Sequence, residues 1–346
     1  MQYELNSVDP VRNPGWDDML LSRSDYSFFH STAWASVLSN SYAYTPRYLT
    51  FVKNNEFLTS LPFMEITSYL TGKRGISLPF SDYCDPIVHH NTDHDKVIDA
   101  LIKFGKAAGW KYFEIRGSNG LFTDIIPSAK FYCHLLKLSD HETAIWGKLR
   151  DSTRRNIEKA IKQGVQIHFG NSENEVNEYY HLHCLTRKYH GLPPQPLKFF
   201  KNIYKYILSK NMGIVILATY QEHCIAGNIY FHFGKKSYYK YGASNRTYQR
   251  YRASNLVMWE AIKYYSQHSY ESLCFGRTDM NDAGLMQFKN GWGAECRVIK
   301  YHRYDLDKDK FINGEFAVHH NMAVILKHLP LSFLKIMGTF LYRHIG

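Results

Sequence analysis

Three consecutive strand-like runs in the second half of the chain constrain its fold more than any other feature. The segment IVILATYQEHCIAGNIYFHFGKKSYYKYGAS, residues 214–244, is rich in β-branched and aromatic residues, and short polar turns interrupt it. Helical patterns precede it at 173–191 and 197–213, and a helical pattern at 254–269 and a strand at 271–277 follow it. Helices, then antiparallel strands, then strand, helix and strand predict a mixed α/β sheet, not a doubly wound parallel one.

The first 140 residues also mix strands with helices. The runs YTPRYLTFV (44–52) and EFLTSLPFMEI (56–66) predict two strands, and the polar KNNE between them is typical of a hairpin turn. Apolar residues recur at helical spacing in 93–110, Gly109 predicts the end of that helix, and KYFEIRG (111–117) predicts another strand. This half of the chain therefore also predicts a mixed sheet, with an antiparallel start.

A chain of 346 residues is long enough for two domains of ordinary size. We predict one domain over residues 1–140 and a second over residues 141–302, with part of 303–346 completing the first. Residues 325–346 predict a basic amphipathic tail that a proline interrupts. We expect this tail to pack on the protein's own core, and the alternative is that it rests on an anionic membrane surface.

The charge of the chain favours an anionic partner. Lysine and arginine number 42 against 31 aspartate and glutamate residues, which gives a formal net charge of +11. RNA, a nucleotide, a phosphorylated lipid carrier and a membrane surface all fit such a charge. The cysteines form no Cys-x-x-Cys pair and the first residues are polar and acidic, so we expect a cytoplasmic protein, with peripheral contact at the inner face of the membrane as an alternative.

Five motifs follow one another in the second half: LRDSTRRNIEKAIKQGVQIH, LTRKYHGLPPQPLKFF, YYKYGASN, NLVMWEAI and FGRTDMNDAGLMQFKNGWGAE. In this order they resemble the FemAB family, tandem-GNAT aminoacyl- and acyltransferases that include the enzymes building peptidoglycan cross-bridges. The tail is similar to that of family members found with exopolysaccharide and exosortase gene sets. The resemblance covers residues 141–300 well and the first part only through SLPFSDYCDP and HSTAWASVL. It implies two tandem GNAT-like domains and transfer of an acyl group to an amine of a sugar or peptide.

The segment LMQFKNGWG carries the candidate reaction centre. The resemblance implies that its Phe-Lys pair, Phe288 and Lys289, lies at the donor ester, with Phe288 against the acyl or adenosine group. Amine acyl transfer passes through a tetrahedral intermediate with a negative oxygen, which a fixed cation such as Lys289 can stabilise. The alternative is an exposed lysine beside a buried phenylalanine.

Carboxylates follow the predicted strand in FGRTDMND. Asp279 and Asp282 could accept the proton of the attacking amine or hold its ammonium group, and Asp279 is the first choice. Capping of a turn by either aspartate is the alternative.

Basic residues cluster on the predicted helix STRRNIEKAIKQG, which Gly164 ends. Its basic residues lie near two adjoining stripes, one with Arg150, Arg154 and Lys162 and the other with Arg155 and Lys159. Arg154 and Arg155 are the candidates to bind phosphate, either of the acceptor or of a tRNA end. Arg187 in LTRKYHG is a further phosphate candidate. The alternative is a solvated helix with an internal pair from Glu158 to Lys162.

The turn QRYRAS bears on the donor. In coenzyme A-dependent GNAT enzymes the corresponding turn reads Gln/Arg-x-x-Gly-x-Gly/Ala, and its backbone amides hold a pyrophosphate. The turn in this chain has no glycine, which weighs against coenzyme A. Arg250, Arg252 and Ser254 remain candidates for contact with the donor's phosphate.

Two further positions bear on the acceptor. Tyr241 lies on a strand at a position similar to an acceptor-binding tyrosine of the peptidoglycan enzymes, and the alternative is a core aromatic residue. In the cross-bridge enzymes a lysine shortly after a tryptophan helps hold a nucleotide diphosphate, whereas Trp34 is followed by Ala35 and Ser36. This departure favours another glycan, or a lipid-linked acceptor, over a UDP-muramyl-peptide.

No metal site is expected, because His181 and His183, two residues apart on a predicted helix, point away from each other. We therefore expect an enzyme without a permanent cofactor, an acyl- or aminoacyltransferase. Its donor would be charged tRNA or acyl-coenzyme A, and its acceptor an amine of a phosphorylated, free or lipid-linked glycan or peptide. A non-catalytic RNA-binding protein and a membrane-associated polysaccharide-assembly protein are the alternatives.

Overall fold

The computed structural model describes residues 4–53, 56–89, 92–117, 120–139, 141–313 and 321–346. Its helices are α1 (Trp16–Leu21), α2 (Thr32–Tyr42), α3 (His94–Ala107), α4 (Glu142–Lys148), α5 (Asp151–Lys162), α6 (Glu173–Tyr189), α7 (Leu197–Tyr206), α8 (Ala253–Gln267), α9 (Ala283–Asn290), α10 (Asn321–Leu326) and α11 (Leu331–Ile345). Its strands are β1 (Glu4–Val8), β2 (Thr45–Lys53), β3 (Glu56–Ser68), β4 (Gly72–Ile76), β5 (Ile87–Val88), β6 (Tyr112–Arg116), β7 (Ala129–Lys137), β8 (Gln166–Gly170), β9 (Gly213–Tyr220), β10 (His223–Phe233), β11 (Lys236–Ser244), β12 (Ser272–Asp279), β13 (Glu295–Asp305) and β14 (Lys310–Ile312). The predicted mixed α/β class is confirmed.

The chain divides into two compact units. Unit 1 comprises Met1–Phe131, Val298–Ala317 and Leu341–Gly346, and unit 2 comprises Tyr132–Arg297 and Val318–Phe340. The predicted limits of the two domains, residues 140 and 302, stay a prediction about where independently folding domains end.

Unit 1 contains a largely antiparallel sheet. The strands β1, β2, β3 and β4 pair antiparallel in that order, β4 pairs parallel with β6, and β6 pairs antiparallel with β13. The β2–β3 hairpin is as predicted, although residues 54 and 55 of its KNNE connection lie outside the described residues. Helix α3 buries Val97 and Leu101 against this sheet, and Gly109, at a φ of +70°, follows the end of the helix as predicted.

A buried arginine ties the last residues of the chain into unit 1. Arg74 on β4 is 2% exposed, and its guanidinium donates to the carbonyl oxygen of His344 at 2.6 Å. The hydroxyl of Tyr44 likewise donates to the carbonyl oxygen of Tyr342 at 2.7 Å. A buried cation is costly unless it has acceptors, and residue 344 supplies one for Arg74. Residues near 344 are therefore part of the core of unit 1.

Unit 2 is built on the three strands that the sequence predicted. Strands β8, β9, β10 and β11 pair antiparallel in that order, and β12 pairs parallel with β11. The β9–β10 turn consists of Gln221 and Glu222, both at positive φ, the conformation that a two-residue hairpin turn requires.

Helices cover both faces of the unit 2 sheet. On one face α5 and α8 pack with Tyr230 of β10 in a single apolar cluster. On the other, Phe231 of β10 contacts the ring of Tyr241, which in turn contacts Phe200 of α7. Alternate residues of one strand thus face different helix layers, so the sheet is buried on both sides.

Candidate active site

Helix α5 begins at one edge of a cavity in unit 2. Ile157 and Ala160 bury one face of the helix, and Gly164, at a φ of +78°, follows its end as the sequence predicted. The residue before its first turn is Arg150, and no side chain caps that turn. Instead the Arg150 N–H donates to the carbonyl oxygen of Gly291 at 3.0 Å, which fixes the start of α5 beside the end of α9.

Helix α8 begins in the same way beside the same cavity. The short 3-10 helix Arg246–Tyr251 leads into Arg252, which precedes the first turn of α8 at a φ of +59°. No side chain caps this turn either. Arginine is unfavourable at such a φ and is not a usual capping residue, so its presence needs another explanation.

Both helix starts open on one cavity of about 520 Å³. Arg150 and Asn156 line it from α5, Arg252 and Ser254 from the start of α8, and Phe288 from α9. The amino-terminal end of a helix carries a partial positive charge and open N–H groups, and here two such ends and two arginines line one cavity. This arrangement suits a diphosphate or another compact polyanion.

The sheet separates next to this cavity. Within the described residues, the pairing of β11 with β12 is confined to Lys236–Tyr238 and Ser272–Cys274, although β11 continues to Ser244 and β12 to Asp279. The strands therefore diverge beyond Cys274, and Ser244 at the end of β11 lines the cavity. A ligand in the cavity can reach the edge of an opened sheet.

Lys289 lies inside the protein. Its side chain is 2% exposed, and its Nζ donates to the carbonyl oxygens of Gly276 at 2.9 Å and Arg277 at 3.0 Å, where β12 has left β11. Phe288 is half-exposed, whereas Lys289 is buried. This is the reverse of the alternative, in which the lysine is exposed and the phenylalanine is buried. Lys289 is thus a buried cation at the opened edge of the sheet, behind the cavity wall.

A buried histidine that no sequence motif indicates accompanies Lys289. His134 on β7 is fully buried, and one of its ring nitrogens lies 2.8 Å from Oδ1 of Asn290. Burial lowers the pKa of His134, and the positive charge of Lys289 lowers it further. A lone histidine in a strand resembles any core residue, so no sequence pattern distinguishes it.

Asp279 lies at the exposed end of β12. Its carboxylate accepts the N–H of Asn281 at 3.0 Å, and Asp282 caps α9 by accepting the N–H of Leu285 at 2.9 Å. Both aspartates therefore have the turn-capping role that was the alternative. The role of Asp279 as a proton acceptor stays a prediction.

The other arginines that were predicted to bind phosphate are not among the residues that line the cavity. Arg154 pairs with Asp151, Arg155 is exposed, and Arg250 donates to the hydroxyl of Tyr251 at 2.9 Å. Of the cationic candidates named from the sequence, Arg252 lines the cavity. Arg150, which belongs to the basic cluster predicted for this helix but was not singled out as a phosphate ligand, lines it too.

Tyr241 and Arg187 belong to an aromatic cluster behind the sheet. The Tyr241 ring lies 6.5 Å from that of His183 and 5.7 Å from that of Phe200, and the Arg187 Nε donates to the carbonyl oxygen of Pro193 at 3.3 Å. Burial, followed by the charge of Arg187, lowers the pKa of His183 to about 3. His183 is therefore neutral at physiological pH, and the acceptor roles of Tyr241 and Arg187 stay predictions.

Acidification from about pH 7.5 to about pH 5 is expected to lower the free energy of unfolding. A histidine in an unfolded chain titrates at about pH 6.5. Below that pH, His183 therefore binds a proton in the unfolded state but not in the folded state. At about pH 5 this difference amounts to about 2 kcal/mol. Urea denaturation checks it: His183→Phe, which lacks the titrating group, should lose less stability than the wild type, and equal losses would contradict the assignment.

A second cavity of about 210 Å³ adjoins the first through Ser244 and Gln249. Tyr189, His190 and Arg246 also line it, and the Arg246 guanidinium lies 3.8 Å from the centre of the Tyr189 ring. Burial, then the charges of Arg187 and Lys327, lowers the pKa of His190, so the surroundings of this cavity are electropositive. Among the residues that the structure describes, His, Cys, Asp and Glu form no group of three that could hold a metal ion.

Part of unit 2 is similar in sequence to known proteins. Residues 147–290 match the family model described as an acetyltransferase (GNAT) domain. A UDP-N-acetylmuramoylpentapeptide-lysine N(6)-alanyltransferase from Weissella viridescens is 24% identical over 144 residues, 40% of this chain and 42% of that protein. A lipid II:glycine glycyltransferase from Staphylococcus saprophyticus is 35% identical over 76 residues, 20% of this chain and 18% of that protein. The chain thus spans less than half the length of these curated relatives.

Solved structures extend the likeness to most of the chain. The crystal structure of FemX has a TM-score of 0.64 at 13% identity and covers 86% of this chain and 96% of its own. A tandem GNAT protein from the clavulanic acid biosynthesis pathway has a TM-score of 0.54 at 9% identity and covers 88% and 99%. The predicted tandem-GNAT fold and the resemblance to FemAB-type transferases are confirmed.

Proposed function

We propose that this GNAT-domain relative of the FemAB-type transferases moves an aminoacyl or acyl group from a phosphate-bearing donor to an amine of a cell-envelope precursor of the peptidoglycan type. One observation carries the proposal: two uncapped helix starts, each preceded by an arginine, converge on one cavity at the edge of an opened sheet. The names of the curated relatives, an alanyl- and a glycyltransferase, support this reaction class and this class of acceptor.

In the proposed reaction the donor's phosphate lies between Arg150 and Arg252, and its acyl ester extends past Phe288 towards the separated strands. The neutral amine attacks the ester carbonyl, a C–N bond forms, and the intermediate carries a negative oxygen. The buried ammonium of Lys289 stabilises that charge. The C–O bond then breaks, and the proton lost by the amine goes to the leaving alcohol, by way of Asp279 or solvent.

The donor is proposed to be a charged tRNA, with acyl-coenzyme A as the competitor. Arg252 occupies the position in the turn at which coenzyme A-dependent GNAT enzymes have the first glycine of their pattern. In those enzymes the cofactor approaches the backbone of the turn, and in this chain an arginine side chain stands at that position. An arginine at this place favours contact with phosphate by side chain over contact by backbone amide.

A donor competition tests the proposal. Purified protein is titrated with charged tRNA, uncharged tRNA and acyl-coenzyme A at two salt concentrations, with transfer to a peptidoglycan-type amine as the readout. Charged tRNA should bind best, with a steep salt dependence, because phosphate contacts release counterions. Tight binding of the thioester alone would exclude the tRNA donor, and failure of every donor to bind would overturn the transferase.

Arg150→Ala is expected to weaken donor binding about tenfold, since it removes a charged hydrogen-bond donor from the cavity. Arg155→Ala, on the same helix but outside the cavity, should have a much smaller effect. Lys198→Ala removes an exposed charge elsewhere in unit 2 and serves as the control. A larger effect of Arg155 than of Arg150 would move the phosphate site to the outer face of α5.

A further inference from the structure

Helix α11 exposes an apolar stripe to solvent. The side chains of Phe333, Ile336 and Phe340 are 49%, 69% and 50% exposed, and their spacing of three and four residues puts them on one face of the helix. Leu334 faces the protein instead and is fully buried. The helix is thus anchored on one side and apolar on its solvent-exposed side.

The anchoring leaves no room for the stripe to turn inward. A Cβ atom on Gly338 would lie 1.9 Å from the carbonyl oxygen of Pro194, so the backbone of α11 touches the loop after α6 directly. The Lys335 Nζ also lies 5.5 Å from the centre of the Tyr180 ring on α6. The exposed stripe is therefore a fixed feature of the folded unit.

The preceding helix continues the exposed apolar character. Val324 and Ile325 on α10 are 63% and 67% exposed, and the Nζ of the adjacent Lys327 lies 5.8 Å from the centre of the Tyr189 ring. We call Val324, Ile325, Lys327, Phe333, Lys335, Ile336 and Phe340 the tail surface.

The charge around the tail surface has one sign. Residues 321–346 include Lys327, Lys335 and Arg343 and contain no aspartate or glutamate. All three cations are exposed. A basic helix with aromatic and aliphatic residues on its exposed face has the composition of a segment that lies in the headgroup region of a membrane.

We propose that the tail surface docks on the surface of an anionic bilayer, with Phe333, Ile336 and Phe340 inserted among the headgroups and the lysines paired with lipid phosphates. A second copy of the chain fits less well, because self-association would bring the cations of both copies together. Docking differs from spanning: among the described helices, none has the length and apolar character needed to cross a membrane.

Docking would bring the smaller cavity close to the lipid. Tyr189 lines that cavity and also contacts Lys327 of the tail surface. A ligand that enters beside Arg246 would therefore approach from the membrane side. The docking surface goes beyond the proposed transfer reaction and does not depend on it.

Co-sedimentation of the full chain with vesicles tests the inference. Vesicles of phosphatidylcholine with about 30 mol% phosphatidylglycerol should bind the protein at least about tenfold better than phosphatidylcholine alone. The variant Phe333→Ser/Ile336→Ser/Phe340→Ser should lose at least about tenfold in binding. Lys327→Gln/Lys335→Gln should lose binding to the anionic vesicles specifically, and Ile161→Ser, an equally exposed residue on α5, should bind as the wild type does.

Several outcomes would overturn the inference: no binding of the wild type, equal binding to neutral vesicles, or unchanged binding of the triple serine variant. Self-association that the triple variant abolishes, without vesicle binding, would assign the tail surface to a second copy instead. Donor binding is measured on the same variants. Because their cavity is intact, loss of vesicle binding with normal donor binding separates this inference from the transferase proposal.

Discussion

Lys289→Met is expected to lower the rate of acyl transfer about a hundredfold to a thousandfold, the usual effect of removing one fixed stabiliser of an oxyanion. Donor affinity should change little, because the attraction to Lys289 becomes strong only when the ester oxygen turns negative in the intermediate. Single-turnover transfer and equilibrium donor binding, measured separately, check this split. Methionine keeps the length of the side chain and removes its charge.

The same substitution should also destabilise the protein. The carbonyl oxygens of Gly276 and Arg277 lose their charged donor, which costs about 1–3 kcal/mol. Transfer is therefore measured at a temperature where urea denaturation shows the variant to be folded. If the folded variant transfers at the wild-type rate, the role of Lys289 is structural alone. It would then serve only to pair with carbonyl oxygens of β12, beyond the point where β12 leaves β11.

Arg252→Gly is expected to weaken donor binding without lowering stability. Arginine at a φ of +59° is strained by about 1 kcal/mol, and glycine is not, although its unfolded chain is more flexible. The free energy of unfolding should therefore stay the same or rise by up to about 1 kcal/mol. Donor affinity should fall about tenfold to a hundredfold, because a guanidinium leaves the phosphate site.

Arg250→Ala is the matched comparison for this variant. Arg250 precedes the same turn, but its guanidinium lies 4.9 Å from the centre of the Tyr251 ring and outside the cavity lining. Its removal should weaken donor binding less than the loss of Arg252. If Arg252→Gly binds the donor normally, the strained arginine has no role in the phosphate site, and the cavity needs another ligand.

The parts of the fold that the sequence predicted depend on short-range patterns. Gly164 follows α5 and Gly109 follows α3 because glycine takes positive φ easily, and this is visible in the residue alone. The strands from 213 to 244 are likewise visible as β-branched and aromatic runs between polar turns. For the same reason the sequence predicts the order of helices and strands over residues 173–277.

The candidate site could not be predicted from short-range patterns, because it depends on contacts between distant segments of the chain. Arg150 faces the cavity since its backbone is held by Gly291, and the sequence around Arg150 contains no trace of that contact. Lys289 is buried because β12 supplies two carbonyl oxygens that accept from its ammonium group, while α9 is too short to show a clear periodicity. Composition could indicate that arginines bind phosphate, but not which of them share a cavity.

The way unit 1 is assembled from three stretches of chain has a consequence for synthesis on the ribosome. The bulk of unit 2, residues 132–297, is contiguous, but Arg74 in unit 1 finds its acceptor in His344. Since a nascent chain emerges from its amino-terminal end, the unit that begins to emerge first is completed last. Until residue 344 has left the exit tunnel, the guanidinium of Arg74 lacks this acceptor, so we expect this part of unit 1 to finish packing only after residue 344 emerges.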